Sequence, residues 1–171
     1  FTTDSEMFER LRSIRVHGQG GEESQSVRVG INGRLDTLQA AILLAKLEVF
    51  PQELRAREEL SRVYDRRLGD AVTIPARIDG MTSAWAQYSI LVEKREPVQE
   101  ALKAAGIPSA VYYPKPVHLQ GPYLDAGEGV GSLPVSEYLS GHILSLPMHP
   151  YLGGSEQDLV ISSFVTALSH L

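Results

Sequence analysis

The sequence has no cysteine, one tryptophan and no basic run. Without cysteine there is no disulfide framework, no thiolate zinc site and no cysteine nucleophile. Its 16 Lys and Arg are outnumbered by 21 Asp and Glu, for a formal net charge of −5. A mildly acidic chain of this kind is poorly suited to nucleic acid or to an anionic membrane surface, and neither is expected as a partner. The longest apolar run, Ala40–Ala45, is far short of the ~20 residues that a transmembrane helix requires. Phe1-Thr2-Thr3-Asp4 has neither the basic start nor the apolar core of a signal peptide, so a soluble cytoplasmic protein is expected. There is also no G-x-S-x-G elbow, no Walker loop and no H-E-x-x-H. His118, His142 and His149 lack metal-ligand spacing, and no metal site is expected.

What remains is an ordinary globular composition, 43% hydrophobic and 22% charged over 171 residues, enough for one domain or two small ones. The chain opens without a methionine, directly on a helix signal. Thr3-Asp4-Ser5-Glu6 reads as a capping box, and Met7, Phe8, Leu11 and Ile14 follow as one apolar stripe. A Gly-rich polar stretch from Gly18 to Gly33 reads as a loop. Asp36-Thr37-Leu38-Gln39 repeats the capping logic ahead of Leu38, Ala41, Ile42, Ala45 and Val49. Pro51 predicts a break, with a second charged helix from about Gln52 to Leu68. Beyond Gly69 the period changes to alternation. Strands are expected at Val72–Ile74, over Ala84–Val92, at Ala110–Tyr113 and at Ile143–Leu146. Helices are expected around Val98–Ala105 (stopped by Gly106), at Val135–Ser140, and after Ser155 to Leu171. The order indicates a small α+β lobe on a helical arm.

Two clusters carry chemistry. Gly30-Ile31-Asn32-Gly33-Arg34-Leu35-Asp36 sets an amide and a guanidinium two residues apart just before a helix N-terminus. That combination favours a phosphate or carboxylate, or else Arg34 simply pairs with Asp36 while Asn32 shapes a turn. In Ala110-Val111-Tyr112-Tyr113-Pro114-Lys115-Pro116-Val117-His118, two tyrosines at a strand end face a proline-stiffened loop. They line a pocket or pack across strands. The glycine clusters His17–Gly21 and Gly127–Gly131 lack the strand-then-helix setting of a phosphate loop and read as turns.

Asn32-Gly33-Arg34-Leu35-Asp36-Thr37-Leu38-Gln39-Ala40-Ala41, preceded by Arg15-Val16-His17-Gly18, resembles the DegT/DnrJ/EryC1/StrS family of sugar aminotransferases. Tyr112-Tyr113-Pro114-Lys115-Pro116-Val117-His118-Leu119 and Ser145-Leu146-Pro147-Met148-His149-Pro150 resemble further blocks of that family, in the same order. The run Arg34–Leu44 carries a finer likeness to enzymes that aminate a UDP-linked 3-oxo-N-acetylglucosaminuronate. The resemblance implies an α/β protein of the type I aminotransferase fold, pyridoxal 5'-phosphate (PLP) as cofactor and a homodimer with shared active sites. The substrates implied are a nucleotide sugar and an amino donor, glutamate. The family's Schiff-base lysine lies in a Ser-rich motif that none of Lys46, Lys94, Lys103 and Lys115 matches. Phe1-Thr2-Thr3-Asp4 resembles the end of the large lobe just beyond that lysine. The chain is therefore expected to be a C-terminal portion. Residues 1–33 would end the large lobe and carry an active-site loop, 34–69 would be connector helices and 70–171 the small lobe.

By the same resemblance, Asn32 binds the PLP phosphate of the neighbouring subunit and Arg34 contacts the sugar nucleotide across the dimer. Tyr112 and Tyr113 are expected to contact substrate, Tyr112 standing where relatives carry His. No catalytic residue is assigned within this chain. Two other readings stay open: a PLP-dependent dehydratase or regulator of the same family, and a noncatalytic binding or oligomerisation module.

Overall fold

The computed structural model describes residues 2–20 and 25–170. Phe1 of the expected lobe end, Gly21 of the first glycine cluster and Leu171 of the last stripe lie outside the described residues. Contacts divide the chain into two compact units, Phe1–Val49 and Phe50–Leu171.

The first unit begins with α1 (Ser5–Arg15), whose N-cap is Asp4, not Thr3; its Oδ1 accepts from the Met7 amide at 3.0 Å. A carboxylate there both satisfies an orphan amide and complements the positive end of the helix dipole. The chain then doubles back on itself. Val16 bridges Asn32 and Gln19 bridges Ser26 in antiparallel register. Ile31 N donates to the carbonyl of Ile14 at 2.8 Å, and His17 N to that of Ile31 at 2.9 Å. Two glycines make the close approach possible. A Cβ on Gly18, which has φ +72°, would lie 1.8 Å from the Arg28 oxygen, and one on Gly30 would lie 2.0 Å from Gly18 N.

The second helix, α2 (Thr37–Leu68), is a single helix of 32 residues that contributes to both units. The expected break at Pro51 does not occur. Proline cannot donate to the carbonyl of Leu47, but Leu47 is 60% exposed. Water can satisfy that acceptor, and the helix continues. Much of its first half is apolar and uncovered: Leu38, Ile42, Leu43, Leu44 and Leu47 are all more than half exposed.

The second unit is built around a two-stranded antiparallel sheet, β1 (Tyr88–Leu91) and β2 (Ile143–Leu146), with Tyr88 opposite Leu146 and Leu91 opposite Ile143. Of the four expected strands, only these two extend beyond a bridge. Val72–Ile74 shrinks to one bridge from Thr73 to Leu91, and Ala110–Tyr113 to one from Ala110 to Ser145. Prolines explain both losses. Pro75 follows the first, Pro108 and Pro114 bracket the second, and none can donate to a ladder. The long strand starts late because Trp85 has φ +44°, which is incompatible with extended pairing.

Around the sheet lie α3 (Arg95–Ala104), α4 (Pro134–His142) and α5 (Gly154–Ser169). Gly106, at φ +74°, follows the end of α3, the backbone conformation in which glycine is favoured. The cap of α5 is Gly153 and not Ser155; the Gly153 amide donates to Glu156 Oε2 at 2.7 Å. The stretch 114–134 carries two single 3-10 turns, Val117–Leu119 and Gly121–Tyr123.

The core joins Tyr64 and Leu68 of α2 to Tyr88, Ile90, Val98, Leu102, Leu144 and Phe164. Tyr64 and Tyr88 stack with centroids 4.7 Å apart. Their hydroxyls are satisfied: Tyr64 donates to the Pro147 carbonyl at 2.9 Å and Tyr88 to Asp65 Oδ1 at 2.8 Å. Burial pushes both phenols well above the ordinary tyrosine range, and the Asp65 carboxylate adds to the effect on Tyr88. A raised folded-state pKa keeps the proton on in the native state, so stability falls as pH rises past the unfolded value of ~10. In an alkaline titration, the phenolate absorbance of these two tyrosines is expected to appear together with the loss of near-UV circular dichroism. Their smooth ionisation in a still-folded protein would contradict this packing.

Beside the core, Arg77 donates to Glu58 Oε1 at 2.8 Å, Asp65 Oδ2 at 2.6 Å and Ser61 Oγ at 2.7 Å. The Trp85 indole nitrogen donates to Glu58 Oε2 at 2.6 Å. Burial pushes the Glu58 carboxyl up. Hydrogen bonds from Trp85, Arg77 and Arg62 outweigh that and hold it below the usual carboxylate range.

Candidate functional site

Asn32 and Arg34 lie in the first unit, on the strand-like return that the Val16 bridge fixes. Gly33 N donates to the Arg15 carbonyl at 2.8 Å, so the backbone between the two side chains is tied down on its inner side. Arg34 Nε donates to Asn32 Oδ1 at 3.4 Å. Asp36 is engaged elsewhere: its Oδ1 accepts from the Gln39 amide at 2.8 Å and caps α2. The described contacts therefore pair Arg34 with Asn32 and not with Asp36, and both side chains are exposed.

This changes where an anion would be held. The α2 N-terminus already carries the Asp36 carboxylate, which repels a second negative group. The attraction at this corner rests with the guanidinium and with the Asn32 amide nitrogen, whose partner oxygen faces Arg34. A phosphate monoester fits that donor set, a neutral amide beside a fork-shaped cation. The four lysines lie on α2, ahead of and within α3, and in the Pro114–Pro116 stretch.

Tyr112 and Tyr113 belong to the second unit. Their rings meet edge to face with centroids 5.8 Å apart, and Tyr113 is 70% exposed. Both line a cavity of about 340 Å³ together with Lys115, His118, Gln120 and Leu133. Tyr112 also lines a second cavity of about 230 Å³, with Gln87, Ser109 and Met148. The structure thus brings Asn32 to Arg34, and Tyr112 to Tyr113.

One residue in contact with the cavity-lining His118 has no local sequence signal. Glu137 of α4 accepts from the Gly131 amide at 2.9 and 3.0 Å and from the Leu133 amide at 3.3 Å, and its Oε1 lies 3.1 Å from His118 Nε2. The Gly131 amide, ahead of the His118 ring, holds this carboxyl below the ordinary range. The glycine cluster Gly127–Gly131 thus runs up to a carboxylate anchor. Among the described residues no group of three or more His, Asp and Glu side chains is placed to hold a metal ion, and no helix is long and apolar enough to cross a membrane.

Comparison with known proteins gives a consistent picture. The UDP-2-acetamido-2-deoxy-3-oxo-D-glucuronate aminotransferase of Pseudomonas aeruginosa is 43% identical over 164 residues, 95% of this chain and 45% of the relative. A pleiotropic regulatory protein of Geobacillus stearothermophilus is 38% identical over 99% of this chain and 46% of its own length. The crystal structure of a DegT DnrJ EryC1 StrS aminotransferase from Brucella abortus superposes with a TM-score of 0.84 at 48% identity, covering 97% of this chain and 44% of that one. The chain spans somewhat less than half the length of each of these proteins. The α/β fold seen here is therefore a portion of the sugar-aminotransferase fold. With residues 1–165 matched by the family as a whole, the chain belongs to the DegT/DnrJ/EryC1/StrS aminotransferase family.

Proposed function

We propose that the protein carrying this chain is a cytoplasmic PLP-dependent transaminase. It would move an amino group from glutamate to a keto-sugar nucleotide, a UDP-3-keto-N-acetyl hexuronate, in surface-polysaccharide biosynthesis. The observation that carries this reading is the Asn32–Arg34 corner. It holds an amide donor and a guanidinium that Asp36 does not neutralise, in a sequence 43% identical to an aminotransferase named for that class of substrate. Asn32 would hold the cofactor phosphate through its amide nitrogen, and Arg34 the diphosphate or the uronate carboxylate. Tyr112 and Tyr113 would wall the sugar nucleotide. PLP, when bound, supplies an electron sink for the transfer. The lysine that anchors it is proposed to lie outside these residues, in a large lobe that residues 1–33 complete, with 34–69 as connector and 70–171 as small lobe. A homodimer sharing its active sites is supported by the exposed apolar side chains of the first half of α2, since exposed apolar surface of this kind marks a site of association.

The regulatory relative favours one second reading, a family member that binds PLP without transferring nitrogen. The purified complete protein separates the two. Expected are visible absorbance from bound PLP and a product one amino group richer when glutamate and the keto-sugar nucleotide are supplied together. PLP absorbance without amination would favour the regulator, and no absorbance at all would leave only a binding module.

A further inference from the structure

The stretch 114–133 carries only two 3-10 turns and turn bonds between near neighbours, yet it supplies Lys115, His118, Gln120 and Leu133 to the wall of the tyrosine-lined cavity. Turn bonds between near neighbours shape a loop but do not fix where it sits against the rest of the fold; side chains from elsewhere must do that. Here a single carboxylate does so at two distant points of the chain. Through Gly131 and Leu133, Glu137 ties the end of the loop to α4. Through His118 Nε2 it ties the loop's beginning to the same helix. The His118 side chain is 10% exposed and that of Glu137 19%, so water competes weakly for the contact. With these donors gathered around it, Glu137 is engaged as an acceptor and is poorly suited to carry a proton. Lys115 and Gln120 belong to the stretch that the contact holds in place, and they line the same cavity as both tyrosines.

We propose that Glu137 and His118 form a clamp that fixes the loop as one wall of the sugar-nucleotide site. Glu137 is then a positioning residue that sets affinity for the nucleotide sugar and leaves the amino-donor half-reaction alone. The inference rests on reading the tyrosine cavity as the sugar-nucleotide site.

The test uses the complete protein as wild type, Glu137→Ala, Glu137→Gln, His118→Ala and the double variant. Three properties are read: amide hydrogen exchange across the loop, binding of UDP-N-acetylglucosamine (which has no ketone to aminate), and kinetics with the keto-sugar nucleotide and glutamate. Glu137→Ala is expected to speed exchange at Gly131 and Leu133. It should weaken UDP-N-acetylglucosamine binding and raise KM for the keto-sugar nucleotide by about ten-fold, with the glutamate half-reaction within about two-fold of wild type. Glu137→Gln keeps an oxygen that accepts from Gly131 and should recover most of both effects. In loop exchange the double variant should be no worse than Glu137→Ala, because His118 meets the anchor only through Glu137.

Unchanged exchange in Glu137→Ala overturns the clamp. Faster exchange with unchanged binding and KM overturns its link to the sugar nucleotide, and an equal loss in the glutamate half-reaction reduces Glu137 to a general structural role. A wild type that binds UDP-N-acetylglucosamine without transaminating, while Glu137→Ala still loses that binding, would sink the aminotransferase reading and leave the clamp standing. A wild type that neither binds it nor transaminates the keto-sugar nucleotide removes both.

Discussion

Arg34→Ala in the complete enzyme is expected to lower kcat/KM for the keto-sugar nucleotide by roughly ten- to a hundred-fold, the cost of ~1.5–3 kcal/mol for one charge-assisted contact. On the proposed reading, in which Asn32 and the upstream lobe hold PLP, the cofactor should stay bound and the half-reaction with glutamate should change little. The geometry sharpens this expectation. Among the described residues Arg34 contributes only its Nε, to Asn32, and its two terminal nitrogens would serve as a fork for a diphosphate or a carboxylate. Arg34→Lys should fall between wild type and alanine, since an ammonium meets a planar anion with one contact where the fork makes two. Steady-state and single-turnover kinetics, run with each substrate separately, check the split. Equal losses in both half-reactions, or unfolding of the protein, would make Arg34 a structural partner of Asn32 instead.

Phe164→Ala is the variant expected to damage the fold most. Phe164 is fully buried on α5, in the cluster with Tyr64, Tyr88 and Leu144. Removing a buried ring costs about 3–5 kcal/mol in lost transfer energy and residual cavity. That is a large part of the ~5–15 kcal/mol that separates a folded domain from its unfolded state. Phe8→Ala is the control, because that ring is half exposed and should shift the midpoint little. Urea unfolding of both variants measures the difference, and similar midpoints would contradict the packing.

The helices were legible because each announces itself locally. The Asp36 cap, the Gly106 stop and the apolar stripe of α5 all fell on elements that form. The β2 strand was legible over all four of its residues, Ile143–Leu146. Pro51 misled because its cost depends on whether water reaches the abandoned carbonyl, a matter of surroundings that sequence does not carry. The two lost strands misled for the opposite reason: their alternation was real, but neighbouring prolines left room for one bridge each. At the site, Asn32 and Arg34 could be picked out by side-chain chemistry and by family resemblance, while the engagement of Asp36 with Gln39 decides which partner Arg34 takes. Glu137 was illegible because its partners, Gly131, Leu133 and His118, meet it only once the loop has closed.

The lone tryptophan has a practical consequence. Trp85 is 7% exposed, donates to Glu58 and lies under the Arg77 guanidinium, which sits 4.8 Å above its ring. All tryptophan emission from this chain therefore originates at one address in the second unit, beside a cation and a carboxylate whose loss would shift its colour. Residues 1–49 are optically silent at that wavelength. A fluorescence melt thus follows the Phe50–Leu171 unit alone, and any gap between it and a far-ultraviolet melt measures how independently the Phe1–Val49 unit comes apart.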